Sequence, residues 1–144
     1  MHQGVVPVTE PPKPLWLCIE CAAVVIRRLI VANRGEIAAR IFRTCARLGI
    51  ESVAVAGADD QGAYHTRRAD RTIEIDSYLD PAEQVRAALA AEADAVHPGY
   101  GFLAENGDFA EAVIAAGLTW VGPSPEALRL GGDKLAAARE ARVA

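Results

Sequence analysis

The stretch "RLIVANRGEIAARIFRTCARLGIESVAVA", residues 28–56, contains the pattern that decides the fold. Residues 28–32 and 52–56 are short apolar runs rich in β-branched side chains, which predicts two buried strands. Between them, apolar side chains recur at spacings of four, four and three residues, which predicts the core-facing stripe of an amphipathic helix. The stripe comprises Ile37, Ile41, Cys45 and Leu48. Gly49 then predicts the end of the helix, so the stretch is a β-α-β unit.

The same alternation continues to the end of the chain. Further strands are predicted at 71–76, 94–97 and 118–122, after a loop and short helix at 57–70. Helices are predicted at 81–92, 107–117 and 124–132, with a last helix from Asp133. Repeated β-α-β units build parallel sheets that are covered on both sides. The predicted fold class is therefore α/β, a Rossmann-like open parallel sheet of about five strands with helices on both faces.

Length and composition fit one globular domain. The chain has 144 residues, and 51% of them are hydrophobic, which is enough to build a core. A formal net charge of −4 argues against a basic surface for nucleic acid.

Residues 1–26 differ in character from the rest and are predicted to be a poorly ordered extension ahead of a domain at 27–144. The segment "VPVTEPPKP", 6–14, is rich in proline. The apolar run 15–26 contains Glu20 and is too short to span a membrane. It also lacks the basic start of a signal peptide, so no membrane role is expected.

The cysteines give a weak signal. Cys18 and Cys21 form a C-x-x-C pair, but no second ligand pair for zinc follows them. A redox pair would follow a strand and begin a helix, whereas this pair precedes the first clear strand. We interpret the two as small apolar residues. With Cys45, the odd count and the missing signal peptide favour the reducing cytoplasm.

Ligands of open α/β sheets bind beyond the carboxyl ends of the strands, where the first candidate is the "NRGE" turn. This turn consists of Asn33, Arg34, Gly35 and Glu36. One glycine before a helix leaves backbone N–H groups for an anion, although the full G-x-G-x-x-G pattern is missing. Asp59 and Asp60 follow the second strand, where a ribose-binding acid would lie. A solvated turn is the favoured interpretation of these two acids.

The second candidate is the loop "HPGYGFLAEN", residues 97–106. It contains G-x-G-x-x-A, but it follows a late strand and has no acid partner for a ribose, so a dinucleotide site is not indicated. Gly99 and Gly101 suit a tight loop that brings the backbone close to a ligand, with Tyr100 projecting from it. Asn106, after Glu105, is a candidate N-cap for the next helix. His97 alone is more often structural than catalytic, and no Ser-His-Asp or Cys-His set is discernible.

The third candidate is Lys134 in "GGDKLAAARE". A lysine in a first helical turn opposes the helix dipole, which prefers anions. Either an anionic ligand lies between the helix end and the ammonium group, or the lysine is simply exposed. The sequence contains no G-x-x-x-x-G-K-[ST] loop.

Four segments together resemble the N-terminal domain of biotin carboxylase, which opens the α-subunits of several acyl-CoA carboxylases, pyruvate carboxylase and urea carboxylase. They are "RLIVANRGEIAARIFRTCARLGIESVAV", "ADDQGAYHTRRAD", "AVHPGYGFLAENGDFAEAV" and "WVGPSPEALRLGGDKLAA". The resemblance implies a pre-ATP-grasp domain of an enzyme that uses ATP and Mg to activate bicarbonate and then carboxylates biotin. Biotin is carried on a biotin carboxyl carrier protein or domain, and a carboxyltransferase is the further partner.

The resemblance also implies roles for residues. Lys134 matches the lysine that reaches an ATP phosphate, and the 97–106 loop matches the one that lines the meeting place of biotin and bicarbonate. Within that loop Tyr100, Gly101 and Glu105 are the strongest candidates. The family's first helix takes part in homodimer contacts. Its polar face here carries Arg40, Arg43 and Arg47, which are either an interface or a solvated basic stripe.

Two departures from the family pattern limit these implications. The family's Met-Gly-Asp-Lys is Gly131-Gly132-Asp133-Lys134 here, and the chain ends at Ala144, where the ATP-grasp domain would begin. Because phosphoryl transfer needs metal and cationic clamps, no catalytic residue is assigned to this chain and no carboxylase activity is expected from it alone. The alternatives are a stand-alone nucleotide-binding module and a non-catalytic assembly piece.

Overall fold

The computed structural model describes residues 25–132. The strands are β1 (Arg28–Val31), β2 (Glu51–Ala56), β3 (Arg71–Glu74), β4 (Ala95–His97) and β5 (Thr119–Trp120). The α-helices are α1 (Gly35–Leu48), α2 (Pro81–Ala90), α3 (Gly107–Ala115) and α4 (Pro125–Gly132). The predictions for Cys18, Cys21, Lys134 and the last helix lie outside the described residues.

All five strands form one parallel sheet in the order β3-β2-β1-β4-β5. β1 is central, with Leu29 opposite Ser52 of β2 and Ala95 of β4. The chain therefore builds the sheet outward from β1 in one direction and then returns to build the other side. This confirms the predicted α/β class and its parallel sheet.

Alternate residues of the strands face two separate cores, so helices cover both faces of the sheet. One core contains Ile30 and Val96 of the sheet together with Phe109 of α3. The opposite core contains Leu29 and Ala95, and there α1 packs on the sheet. None of the helices within residues 25–132 has the length and hydropathy needed to cross a bilayer.

Helix ends follow the predicted capping signals. Gly49 closes α1 in the left-handed conformation, at φ 70°. Pro81 occupies the first turn of α2, and the Asp80 side chain accepts hydrogen bonds from the N–H groups of Ala82 and Glu83. Asn106 caps α3 in the same way, as its sequence position predicted.

The predicted core-facing stripe of α1 is wrong in part. Of the four predicted members only Cys45 is buried, and the structure buries Ala38, Ala39 and Phe42 beside it. Ile37 and Ile41 are half-buried, and Leu48 is 66% exposed. The helix packs on β1 and β2 through one flank, so its isoleucines border an open part of the same sheet face. Four of the strands are shorter than predicted, whereas β2 begins one residue earlier, at Glu51. Residues 57–70 contain two 3-10 turns, Ala58–Asp60 and Thr66–Arg68.

Candidate functional site

Asn33 joins the "NRGE" turn after β1 to the 97–106 loop after β4. The residue is 2% exposed, and its side-chain amide donates to two carbonyl oxygens of the loop, Pro98 O at 2.7 Å and Tyr100 O at 2.8 Å. Because β1 and β4 are neighbours, their following segments leave the sheet side by side. One buried amide therefore holds the second candidate segment against the first.

The loop backbone depends on left-handed conformations. Gly99 and Gly101 have φ +69° and +62°, and Phe102, which is not glycine, has φ +45°. A Cβ on Gly99 would lie 2.7 Å from Asn33 Nδ2, which is too close for any side chain. Glycine is therefore required at position 99 for two reasons, its conformation and its contact with Asn33.

His97 takes part in the turn rather than in the exposed part of the loop. The Gly99 N–H donates to His97 Nδ1 at 3.0 Å, so Nδ1 is an acceptor and a neutral ring carries its proton on Nε2. Burial lowers the pKa of His97, which favours this neutral form. Its ring borders the apolar groove beside α1, away from the loop tip. This arrangement gives His97 a structural role in the loop.

The two segments enclose an open recess of about 390 Å³. It is lined by Asn33, Arg34, Gly35, Ile37, Tyr100, Gly101 and Phe102. Tyr100 is 62% exposed and Phe102 is 47% exposed. Five candidate residues of the two segments therefore meet at one site on the carboxyl edge of the sheet, namely Asn33, Arg34, Gly35, Tyr100 and Gly101.

Other candidate residues lie apart from this recess. Glu105 borders a different depression of about 280 Å³, together with residues of α4. The side chain of Asn106 is occupied by its cap, which accepts from the N–H groups of Asp108 and Phe109. Glu36 is exposed in the first turn of α1.

Sequence reasoning missed a side-chain network that extends from the recess. Asp60 Oδ2 accepts from Arg34 Nη1 at 3.0 Å and from the Tyr78 hydroxyl at 2.7 Å. The Tyr78 ring in turn stacks on Phe102, with centroids 5.7 Å apart and an interplanar angle of 17°. Asp60 is therefore not the solvated acid of the favoured interpretation, whereas Asp59 is exposed. The only signal in the sequence was that Tyr78 follows a strand at the same edge.

The arginines of α1 lie away from the recess. Arg40, Arg43 and Arg47 are exposed, and none of them forms an ion pair with a residue between 25 and 132. Arg40 also borders an apolar groove of about 450 Å³ between α1 and the open part of the sheet. The groove is lined by Ile26, Leu29, Ile37, Ile41, Leu48, Ile50 and Val121, among others.

The recess offers groups that bind rather than groups that transfer protons. Within residues 25–132, no three His, Cys, Asp or Glu side chains are grouped to hold a metal ion. The hydrogen bonds of the loop engage the N–H groups of Gly99, Ala104 and Asn106. The backbone N–H groups of 100–102 have no acceptor within the described part of the chain, so they are available to a ligand beside the Arg34 guanidinium.

Comparison with known protein families gives one match to this part of the chain. The model of the biotin carboxylase N-terminal domain matches residues 25–128. Biotin carboxylase of Haemophilus influenzae is 46% identical over 125 residues, which cover 83% of this chain and 28% of that protein. The α-subunit of methylcrotonoyl-CoA carboxylase from Oryza sativa is 49% identical over 120 residues, or 79% of this chain and 16% of that protein. The chain thus spans less than a third of these relatives.

Solved structures give the same result. The biotin carboxylase domain of a single-chain bacterial carboxylase superposes with a TM-score of 0.77 at 49% identity, over 80% of this chain and 28% of that one. The biotin carboxylase domain of a thermophilic 2-oxoglutarate carboxylase bound to bicarbonate superposes with a TM-score of 0.77 at 41% identity. That match covers 79% of this chain and 27% of the other.

Proposed function

This chain belongs to the family of biotin carboxylase N-terminal domains, and we propose that it forms one wall of the active site of an ATP-dependent biotin carboxylase. The observation that carries the proposal is the recess between the "NRGE" turn and the 97–106 loop. Its exposed rim presents the Tyr100 phenol and the free backbone N–H groups of 100–102. These donors suit the carbonyl oxygen of a ureido ring or a bicarbonate oxygen.

The proposed reaction has two parts, and we propose that the recess holds substrates of both. ATP and bicarbonate give carboxyphosphate and ADP, and the carboxyl group is then transferred to a ureido nitrogen of biotin with release of phosphate. ATP supplies the phosphoryl group for activation. The residues of the recess orient biotin and bicarbonate through hydrogen bonds, and the Tyr100 and Phe102 rings shield them from water.

The described residues do not fit a resident metal ion, and phosphoryl transfer is therefore not assigned to them. We propose that Mg is held outside residues 25–132 and that Lys134 contacts an ATP phosphate, as the family resemblance implies. Glu105, which borders a separate depression, is proposed to face the bicarbonate side. The domain itself is proposed to comprise residues 27–144.

Partners follow from the same proposal. A biotin carboxyl carrier protein or domain presents biotin to the recess, and a carboxyltransferase accepts the carboxyl group afterwards. We further propose that the chain alone does not turn over ATP, because one binding wall supplies no charge clamp for phosphoryl transfer. The nucleotide-module alternative is weakened because the Asp60 carboxylate is engaged by Arg34 and Tyr78 rather than free for a ribose.

A domain replacement tests the proposed function. The matching segment of Haemophilus influenzae biotin carboxylase is exchanged for residues 25–128 of this chain, and carboxylation of free biotin is measured. We expect bicarbonate-dependent ATP hydrolysis that biotin stimulates, and no turnover by the 144-residue chain alone.

The loop is tested in the same chimera with a matched pair of tyrosines. Tyr100→Ala removes a ring that is 62% exposed at the recess, and Tyr64→Ala removes one that is 53% exposed elsewhere. We expect the first change alone to raise KM for biotin. A folded chimera that never carboxylates biotin, or robust turnover by the chain alone, contradicts the proposal.

A further inference from the structure

Three segments at the carboxyl edge of the sheet are joined by one carboxylate. Asp60 follows β2, and its Oδ2 binds both Arg34, which follows β1, and Tyr78, which follows β3. Its side chain is only 15% exposed, whereas that of Arg34 is 51% exposed. The Tyr78 hydroxyl also accepts from the Gly57 N–H at 3.2 Å. The phenol is therefore fixed by both a donor and an acceptor.

The fixed Tyr78 ring supports the strained part of the 97–106 loop. Phe102 has φ +45°, a conformation that costs a residue with a side chain about 1–2 kcal/mol. Its ring stacks on Tyr78, and the Arg34 guanidinium lies 5.7 Å from the centroid of the same tyrosine. Such contacts contribute about 0.5–1.5 kcal/mol each, which is comparable to the strain.

We infer that Asp60 and Tyr78 are positioning residues, which hold Phe102 and thereby fix residues 100–102 at the rim of the recess. The loop has a second support, because Asn33, which follows β1, donates to Pro98 O and Tyr100 O. Removal of the Asp60–Tyr78 support frees Phe102 to leave its left-handed conformation. The fixed conformation of residues 100–102 is inferred from the contacts alone. Its importance for biotin binding rests on the proposed function.

Hydrogen exchange in the 144-residue chain tests the inference directly. The reporters are the Ala104 and Asn106 N–H groups, which donate to Gly101 O and Leu103 O within the loop. Tyr78→Phe keeps the ring and its packing but removes the hydroxyl. We expect these two amides to exchange about tenfold faster, because the variant loses a hydrogen bond to a charged carboxylate. The exchange rates of the sheet amides should not change.

Matched variants separate positioning from general destabilisation. Asp60→Asn should speed exchange of the same loop amides, whereas Asp59→Asn changes the exposed neighbouring acid and should not. Tyr64→Phe is the control for Tyr78→Phe, because Tyr64 lies 53% exposed against Arg68 instead. Unchanged exchange in the loop, or equal acceleration in loop and sheet, overturns the inference.

The phenol of Tyr78 supplies a spectroscopic readout of its contact with Asp60. Burial and the hydrogen bond to Asp60 raise the pKa of Tyr78 to about 12, while the Arg34 charge acts in the opposite direction. Asp60→Asn removes the carboxylate, so the phenol should ionise at lower pH than in the parent chain. The absorbance of phenolate is followed through alkaline titration, with Asp59→Asn as control. An unchanged titration of Tyr78 in Asp60→Asn contradicts the geometry.

The link to function is measured separately in the chimera. Tyr78→Phe should raise KM for biotin severalfold and leave KM for ATP unchanged, with Tyr64→Phe as control. Faster loop exchange together with an unchanged KM for biotin would overturn the proposed role of the loop but not the positioning inference. Unchanged loop exchange in a chimera that carboxylates biotin would overturn the positioning inference but not the proposed function.

Discussion

At the scale of single residues, the loop depends on contacts between segments that are distant in sequence. Asn33 reaches the loop across 65 and 67 positions, and Asp60 reaches Tyr78 across 18. The glycines of the loop predicted a tight turn whose backbone could approach a ligand. Asn106 was correctly predicted to be the N-cap of α3. The Asp60–Tyr78–Phe102 network could not be predicted, because a propensity or a motif says nothing about which loop tips meet.

Gly99 gives a test at this scale, and Gly117 is its matched control. Both have positive φ, +69° and +79°, so Ala costs about 1–2 kcal/mol of conformational strain at either position. A Cβ on Gly117 meets no atom within 4 Å, whereas one on Gly99 lies 2.7 Å from Asn33 Nδ2. We expect Gly99→Ala to lower the free energy of unfolding by about 1–3 kcal/mol more than Gly117→Ala. Urea unfolding of the two variants checks this. Equal losses in the free energy of unfolding would show that the Asn33 side chain moves aside without cost.

At the scale of elements, α1 illustrates how far a helical pattern can predict packing. The periodicity placed the helix correctly, but it could not show which part of the apolar surface contacts the sheet. Phe42 was not in the predicted stripe and is 2% exposed, while Leu48 was in it and is 66% exposed. A helix whose apolar surface is wider than one stripe can pack on a sheet in more than one rotation about its own axis. For α1, the positions of β1 and β2 determine which rotation is adopted.

The packing of α1 gives the second prediction. Phe42→Ala removes a buried ring from the core beneath the helix, and such changes cost about 3–5 kcal/mol. Leu48→Ala removes an exposed side chain of the predicted stripe and should change stability by about 0.5 kcal/mol or less. The two free energies of unfolding, measured in urea, compare the observed and the predicted core face directly. Similar losses at both positions would favour the sequence-based stripe.

The third prediction concerns the amino edge of the sheet, where two aspartates accept hydrogen bonds from strand beginnings. Asp94 Oδ2 accepts from the N–H groups of Arg27 and Arg28, both at 2.8 Å, and Asp70 Oδ2 accepts from the hydroxyl and N–H of Ser52. These bonds lower the pKa of both carboxyl groups below the value of 3.8 for an unperturbed aspartate. A lowered folded-state pKa stabilises the fold above the unfolded-state value, so stability is lost as pH falls through 4 and below.

Asp94→Asn tests this linkage. The amide cannot ionise, so the variant should be less stable than the parent near pH 7, and the difference should shrink as pH falls below about 4. Thermal unfolding between pH 3 and pH 7 measures it, with the exposed Asp59→Asn as control. A difference that stays constant over this range would contradict the assigned cause.

At the scale of the whole molecule, the sheet faces are covered unequally. α2 and α3 pack on one face, whereas α1 covers β1 and β2 on the other and leaves the groove beside β4 and β5 open within residues 25–132. The sequence predicted the α/β class because β-α-β patterns are local. It could not predict this asymmetry, because the covering of each face depends on the strand order, which is a property of the assembled sheet.

As the last prediction, we propose that the interface alternative for α1 holds and that the chain forms a homodimer through this helix. The helix presents two different surfaces, the arginine stripe of 40, 43 and 47 and the apolar groove, and they differ in their response to salt. Association in which the arginines pair with acidic side chains of the second copy weakens as ionic strength rises, whereas burial of apolar surface does not. We expect sedimentation equilibrium to show a dimer that dissociates in high salt, and the double variant R43E/R47E to weaken it at least tenfold. Arg86→Glu, an exposed arginine on α2, is the control and should leave the dimer constant unchanged. Association that persists in high salt and in R43E/R47E would assign the contact to the groove instead, and a strict monomer at all concentrations would remove the proposed interface.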